Sequence, residues 1–115
     1  MKDIIKAPFI EEMREVTANM YRLGWDERNG GNVSYLLYES EVENYLNTKK
    51  IIREIPLNFI AKDLVGKIFI VTGTGKYFKN IDKDPKTNLG IIKISENGEN
   101  AELLWGFKDN GTFTS

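Results

Sequence analysis

The chain has 115 residues, of which 41% are hydrophobic and 29% charged, the balance of one ordinary globular domain with a core of its own. Its net charge is −1, with no long run of one sign, so the basic stripe that nucleic-acid backbones require is missing and nucleic acid is not an expected partner. No apolar run approaches the ~20 residues that cross a bilayer, and no apolar core follows Lys2 and Asp3, so neither a membrane partner nor a signal peptide is expected.

There is no cysteine, hence no disulfide framework, thiol nucleophile or thiolate zinc site, and the cytoplasm is the default compartment. There is also no histidine, which removes the imidazole general base and the usual nitrogen ligand for zinc. Any metal held by these residues alone would need oxygen ligands, and the 17 carboxylates show no calcium-loop spacing. No metal is therefore expected to bind this chain tightly.

In chain order, Pro8 to Leu23 reads as a helix. Phe9, Met13, Val16, Met20 and Leu23 make one apolar stripe, Pro8 suits the first turn, and Gly24 sits at the C-terminal cap position. Asn32 to Glu39 reads as a strand with Val33, Tyr35 and Leu37 on one face. Ser34, Leu36 and Tyr38 lie on the other, so both faces are expected to be covered. Ser40-Glu41-Val42-Glu43 has capping-box spacing and predicts a short helix through Leu46. Ile51 to Leu57 reads as a short strand that Pro56 ends or pushes to an edge. Asn58 is placed to cap a helix through Ala61 and Leu64 to Gly66.

Lys67 to Thr72 is a strand, Lys76 to Asn80 a single helical turn, and Asp82 to Pro85 a turn. Leu89 to Ser95 and Asn100 to Gly106 are strands joined through Asn97-Gly98, a hairpin signal. A further turn falls at Asp109-Asn110-Gly111. The order of elements is α/β without regular βαβ alternation. A single domain over 1–115, with helices packed on a mostly antiparallel sheet, fits it best.

Two glycine turns carry the chemical interest. The first lies within Trp25-Asp26-Glu27-Arg28-Asn29-Gly30-Gly31-Asn32, where paired glycines leave backbone N–H groups open to an anion. The second is Thr72-Gly73-Thr74-Gly75-Lys76 at the end of a strand. It is not a P-loop, because Ile70 stands where the first glycine belongs and Tyr77 where Ser or Thr belongs. Nor is it a dinucleotide fingerprint, which would need glycine at Phe78. What remains suits a small phosphate or a plain tight turn, and the residues alone favour the turn. Asp26, Glu27 and Arg28 read as a solvated face or a local ion pair, Lys76 as a phosphate point charge or an exposed lysine, and Trp25 and Trp105 as core or interface.

Together these residues resemble a known family. The stretch Gly24–Asn32, then Phe69–Phe78, Asp84-Pro85, Asn88-Leu89-Gly90-Ile91, Leu104-Trp105-Gly106 and Thr114-Ser115 closely resemble the class II aldolase/adducin family. The Trp-Asp-Glu-Arg-Asn-Gly-Gly-Asn string points to its rhamnulose-1-phosphate aldolase branch. The resemblance covers this chain nearly end to end, but only the N-terminal part of such an enzyme. It implies a three-layer αβα fold on a mainly antiparallel sheet and a homotetramer. It also implies a zinc-dependent lyase that cleaves L-rhamnulose 1-phosphate to dihydroxyacetone phosphate and L-lactaldehyde.

By the same resemblance the substrate phosphate falls to Asn29, Gly31, Asn32, Thr74, Thr114 and Ser115, with threonine at 74 where the family more often has serine. In the family a glutamate directly after the Thr-Ser pair moves the proton, and the zinc-binding histidines lie beyond it. This sequence ends at Ser115, so the 115 residues alone are expected to be inactive. Two other readings stay open: an adducin-like interaction module without chemistry, and another class II aldolase or epimerase acting on a different phosphosugar.

Overall fold

The structure is a computed structural model that describes residues 3–22, 34–57, 60–73 and 84–107, with the side chains of 20–22 outside the description. Five strands form one sheet: β1 (Ser34–Leu37), β2 (Arg53–Pro56), β3 (Ile68–Thr72), β4 (Leu89–Ile94) and β5 (Asn100–Gly106). Their order is β1-β3-β4-β5-β2 and every neighbouring pair is antiparallel. The antiparallel α/β class expected from the sequence is what is found.

One sheet face is covered by helix α1 (Pro8–Arg22) and the short helix α2 (Glu39–Val42). Phe9, Ile10 and Met13 of α1 bury against Leu37, Ile68, Ile70, Leu89, Ile91, Leu104 and Trp105. Phe9 adds an edge-to-face contact with Tyr45, ring centroids 5.5 Å apart. The buried face of α1 is turned relative to the expected stripe. Val16 is only half-buried, and Thr17 is fully buried in its place. The hydroxyl explains why a polar residue can lie inside: Thr17 Oγ1 donates to Met13 O at 2.7 Å, so no donor is stranded. Met20 and Leu23 of the stripe lie outside the described side chains.

The second face buries Ile55, Val71, Ile92, Ile94, Ala101 and Leu103 with Ala61 and Phe107. The segment running into it is not the expected helix. It is a three-residue 3-10 turn, Lys62–Leu64, anchored by the Ala61 N–H on Gly98 O and ended at Gly66 with φ +78°. Asn58, its expected cap, lies outside the described residues.

Three further differences are local. β1 is an edge strand, and its outer face is not covered: Leu36 is 49% and Tyr38 73% exposed. α2 starts at Glu39 with no side-chain cap, so Ser40 is inside it and the capping box is not formed. The carboxylate of Glu39 accepts from Thr48 Oγ1 at 3.2 Å and pairs with Lys93 Nζ at 3.5 Å, tying the helix start to β4. Asp84-Pro85 does not make a plain turn. It opens a one-turn helix, α3 (Pro85–Asn88), with proline at the first position, where a missing N–H costs nothing.

In the β4–β5 hairpin β5 has the expected limits, β4 ends one residue short of the expected Ser95, and the chain turns through Asn97-Gly98. It contains an irregularity that the alternation of residues hides. Ile91 faces Trp105 while Ile92 faces Leu103, so Leu104 is an extra residue. This bulge sends Leu104 and Trp105 to the same core. It also shifts the end of β5 so that Gly106 lies against Gly90.

Candidate functional site

The antiparallel order brings several strand termini to one end of the sheet. Ser34, at the start of β1, lies against Val71 of β3. Thr72, which ends β3, pairs with Leu89, which begins β4, and Gly90 pairs with Gly106 at the end of β5. Ser34, Gly73, Asp84 and Phe107, the described residues next to the stretches 23–33, 74–83 and 108–115, therefore all lie at this one end. The expected phosphate residues Asn29, Gly31, Asn32, Thr74, Thr114 and Ser115 belong to these stretches and lie outside the described residues. So do Trp25, Asp26, Glu27, Arg28 and Lys76, together with the helical turn expected at 76–80 and the turn expected at 109–111.

The base of the second glycine turn is described and is pinned on both sides. Thr72 is buried, and the Gly73 N–H donates to Asn88 O at 2.9 Å. Asn88 is itself buried, and its Nδ2 donates to Asp84 O at 2.8 Å. Asp84 caps α3 by accepting the Thr87 N–H at 3.4 Å. Gly73 and Asp84, where 74–83 leaves and returns, are thus linked through Asn88. Removing the cap with Asp84→Ala should lower stability by about 1 kcal/mol, measured by urea unfolding.

The end of β5 is equally constrained. Gly106 has φ +95°, a conformation few side-chain-bearing residues tolerate, and a Cβ there would strike Leu89 O and come within 2.8 Å of Gly90 Cα. Phe107 follows with φ +46°, unusual for a bulky residue and worth about 1–3 kcal/mol of backbone strain. Its ring lies directly over Gly90, and its N–H donates to Leu89 O at 2.9 Å. The motif residues Leu89-Gly90 and Trp105-Gly106 thus have a structural reason: two backbones meet where side chains would not fit.

A cleft of about 680 Å³ lies at the opposite end of the sheet, between Glu54, Lys93, Glu96, Asn97 and Glu102. It is open and lined by three carboxylates against one lysine, so it disfavours an anion. No group of three or more metal-binding side chains occurs among the described residues. No helix among them is long and apolar enough to cross a membrane.

No protein-family model matches the chain. Curated relatives do. It is 59% identical over 114 residues to the rhamnulose-1-phosphate aldolase of Listeria monocytogenes serotype 4b (strain F2365), which covers 99% of this chain and 42% of that protein. It is 56% identical over 113 residues to that of Enterococcus faecalis, covering 98% and 40% respectively. It is 39% identical over 118 residues to that of Klebsiella pneumoniae, covering 100% and 42%. The chain spans about two fifths of the length of these relatives. Among solved structures it resembles a sugar-phosphate aldolase from Thermotoga maritima with TM-score 0.70 and 23% identity, over 91% of this chain and 40% of the other. That likeness concerns the fold.

Proposed function

The chain is homologous to the rhamnulose-1-phosphate aldolases along nearly its whole length, and from that premise we propose that it forms the phosphate-binding part of a sugar-phosphate aldolase site. The reaction is the retro-aldol cleavage of L-rhamnulose 1-phosphate to dihydroxyacetone phosphate and L-lactaldehyde. Asn29, Gly31, Asn32, Thr74, Thr114 and Ser115 are assigned to the phosphate. The observation that carries the reading is that the described residues Ser34, Gly73, Asp84 and Phe107, from which the stretches bearing all six residues continue, lie at one end of the sheet. A cytoplasmic location and a homotetramer complete the proposal.

The role of these residues is binding and orientation. Open backbone N–H groups and the Asn and Thr side chains donate to the phosphoryl oxygens. Holding the phosphate fixes the sugar carbons for chemistry supplied elsewhere, and that positioning speeds a reaction only when the reacting groups stand beside it. Zinc, which the family resemblance implies, does not fit the residues present. They offer neither imidazole nor thiolate, and the described carboxylates form no cluster that could hold it. The metal and the proton carrier are accordingly assigned to residues outside these 115.

Titration of the isotope-labelled chain with inorganic phosphate tests the reading by amide NMR. Shifts concentrated at 29–32 and 72–75, and weakened by added salt, are expected. Shifts that are absent there, or that centre on the opposite cleft at Glu54 and Glu102, would overturn it.

A further inference from the structure

We propose that Asn97 is a modification site gated by the fold: it stays asparagine while the β4–β5 turn is closed, and converts to aspartate and isoaspartate when the turn opens. Asparagine is chemically labile, most of all before glycine, whose lack of a side chain leaves the next backbone nitrogen open to react. The Gly98 nitrogen loses its proton and attacks Cγ of Asn97. A bond forms between them, the bond from Cγ to Nδ2 breaks, and the proton leaves with Nδ2 as ammonia. Water then opens the cyclic imide at one of its two carbonyls, giving aspartate or isoaspartate. The reaction needs no reagent besides water, and Asn97 is exposed to it.

The closed turn withholds each participant. The Gly98 N–H is engaged on Ser95 O at 3.0 Å, so the nucleophile keeps its proton. The Gly98 carbonyl accepts the Ala61 N–H at 2.8 Å, which pins the residue from its other side. Asn97 Oδ1 accepts from Ser95 Oγ at 2.6 Å and from the Glu99 N–H at 2.9 Å. Asn97 Nδ2, the leaving group, donates to Glu99 Oε2 at 3.2 Å. The amide therefore cannot rotate toward Gly98 without breaking its bonds to Ser95 and Glu99. Ser95 is itself fixed, because it is buried and its Oγ accepts the Asn100 N–H at 3.2 Å. Conversion is one-way. Aspartate at 97 replaces the donor facing Glu99 with a second carboxylate, and isoaspartate adds a backbone carbon to the turn, so neither product can rebuild the same bonds.

The test incubates the folded 115-residue chain, the same chain in unfolding urea, and a synthetic peptide of residues 92–102 at mildly alkaline pH. Peptide mass spectrometry follows aspartate and isoaspartate at 97. Conversion should be at least about a hundredfold slower in the folded chain than in the peptide, since it must pass through a local opening. Urea should bring the chain to the peptide's rate. In the folded chain, Ser95→Ala and Glu99→Ala should each speed conversion by about tenfold, the effect of removing one or two of the holding bonds. Glu99→Gln keeps an acceptor oxygen and should stay slow. A folded chain that converts as fast as the peptide overturns the proposal. So do Ser95→Ala and Glu99→Ala variants that fold and convert at the parent rate. If Ser95→Ala fails to fold, Glu99→Ala, at an exposed side chain, decides alone.

Discussion

Gly106→Ala should lower stability by about 3 kcal/mol or more, the sum of a left-handed backbone penalty and overpacking against a rigid neighbour. The neighbour decides the size. The added methyl group would meet Leu89 O and the Gly90 backbone rather than the end of a flexible side chain. Neither can withdraw easily, because Leu89 is held by Thr72 on one side and by the Phe107 N–H on the other. Gly66→Ala is the matched control. Gly66 has φ +78°, yet a Cβ there would have nothing within 4 Å. It should lose only the backbone penalty, about 1–2 kcal/mol. Thermal and urea unfolding of both variants measure the difference, and the unfolding temperature of Gly106→Ala should fall by roughly 10 °C or more. Equal losses in the two would mean that the sheet end yields and that the clash carries no weight.

Much of the fold was legible because local signals agreed with the tertiary contacts. The β4–β5 hairpin follows from Asn97-Gly98 between two apolar runs, and β5 occupies the expected 100–106. The start of α1 follows from Pro8, and its helical course from periodicity. Its buried face did not follow, because hydropathy treats Thr17 as polar while the fold lets its hydroxyl bond back to Met13 O. β1 was expected to be covered on both faces because Leu36 and Tyr38 are apolar. An edge strand leaves them exposed, since a residue's character cannot say whether a neighbour will reach it. The bulge at Leu104 and the left-handed Phe107 were hidden for a related reason. Both arise from where two strands end against each other, a property of pairing and not of either strand alone.

The candidate site divides along the same line. Composition and spacing yielded two glycine turns and excluded a P-loop, but they did not decide between a turn and an anion site. The resemblance to the aldolases named the residues, and topology brought the attachment points of their stretches to one end of the sheet. The parts with structural causes, Gly90 and Gly106, entered the resemblance as motif letters. Their meaning is steric, and only the pairing of β4 with β5 makes it visible.

Asn32→Ala and Thr74→Val should each lower kcat/KM for the phosphorylated sugar by at least roughly tenfold, since a hydrogen bond to a charged acceptor is worth about 1.5–3 kcal/mol. The loss needs a protein with the remaining catalytic groups. A chimaera supplies it: this chain joined to the part of the Listeria monocytogenes aldolase that lies beyond the matched 42%. The substitutions remove a donor while leaving side chains that a turn accepts, and circular dichroism should confirm an unchanged fold. The decisive comparison uses L-rhamnulose without its phosphate. If Asn32 and Thr74 act on the phosphoryl oxygens, that slower substrate has no such bond to lose, and the variants should match the parent chimaera on it. If they act through the shape of the turn, both substrates should suffer alike. A penalty confined to the phosphorylated sugar therefore assigns the residues to the phosphate. Unchanged kinetics on it would return Asn32 and Thr74 to turn structure alone.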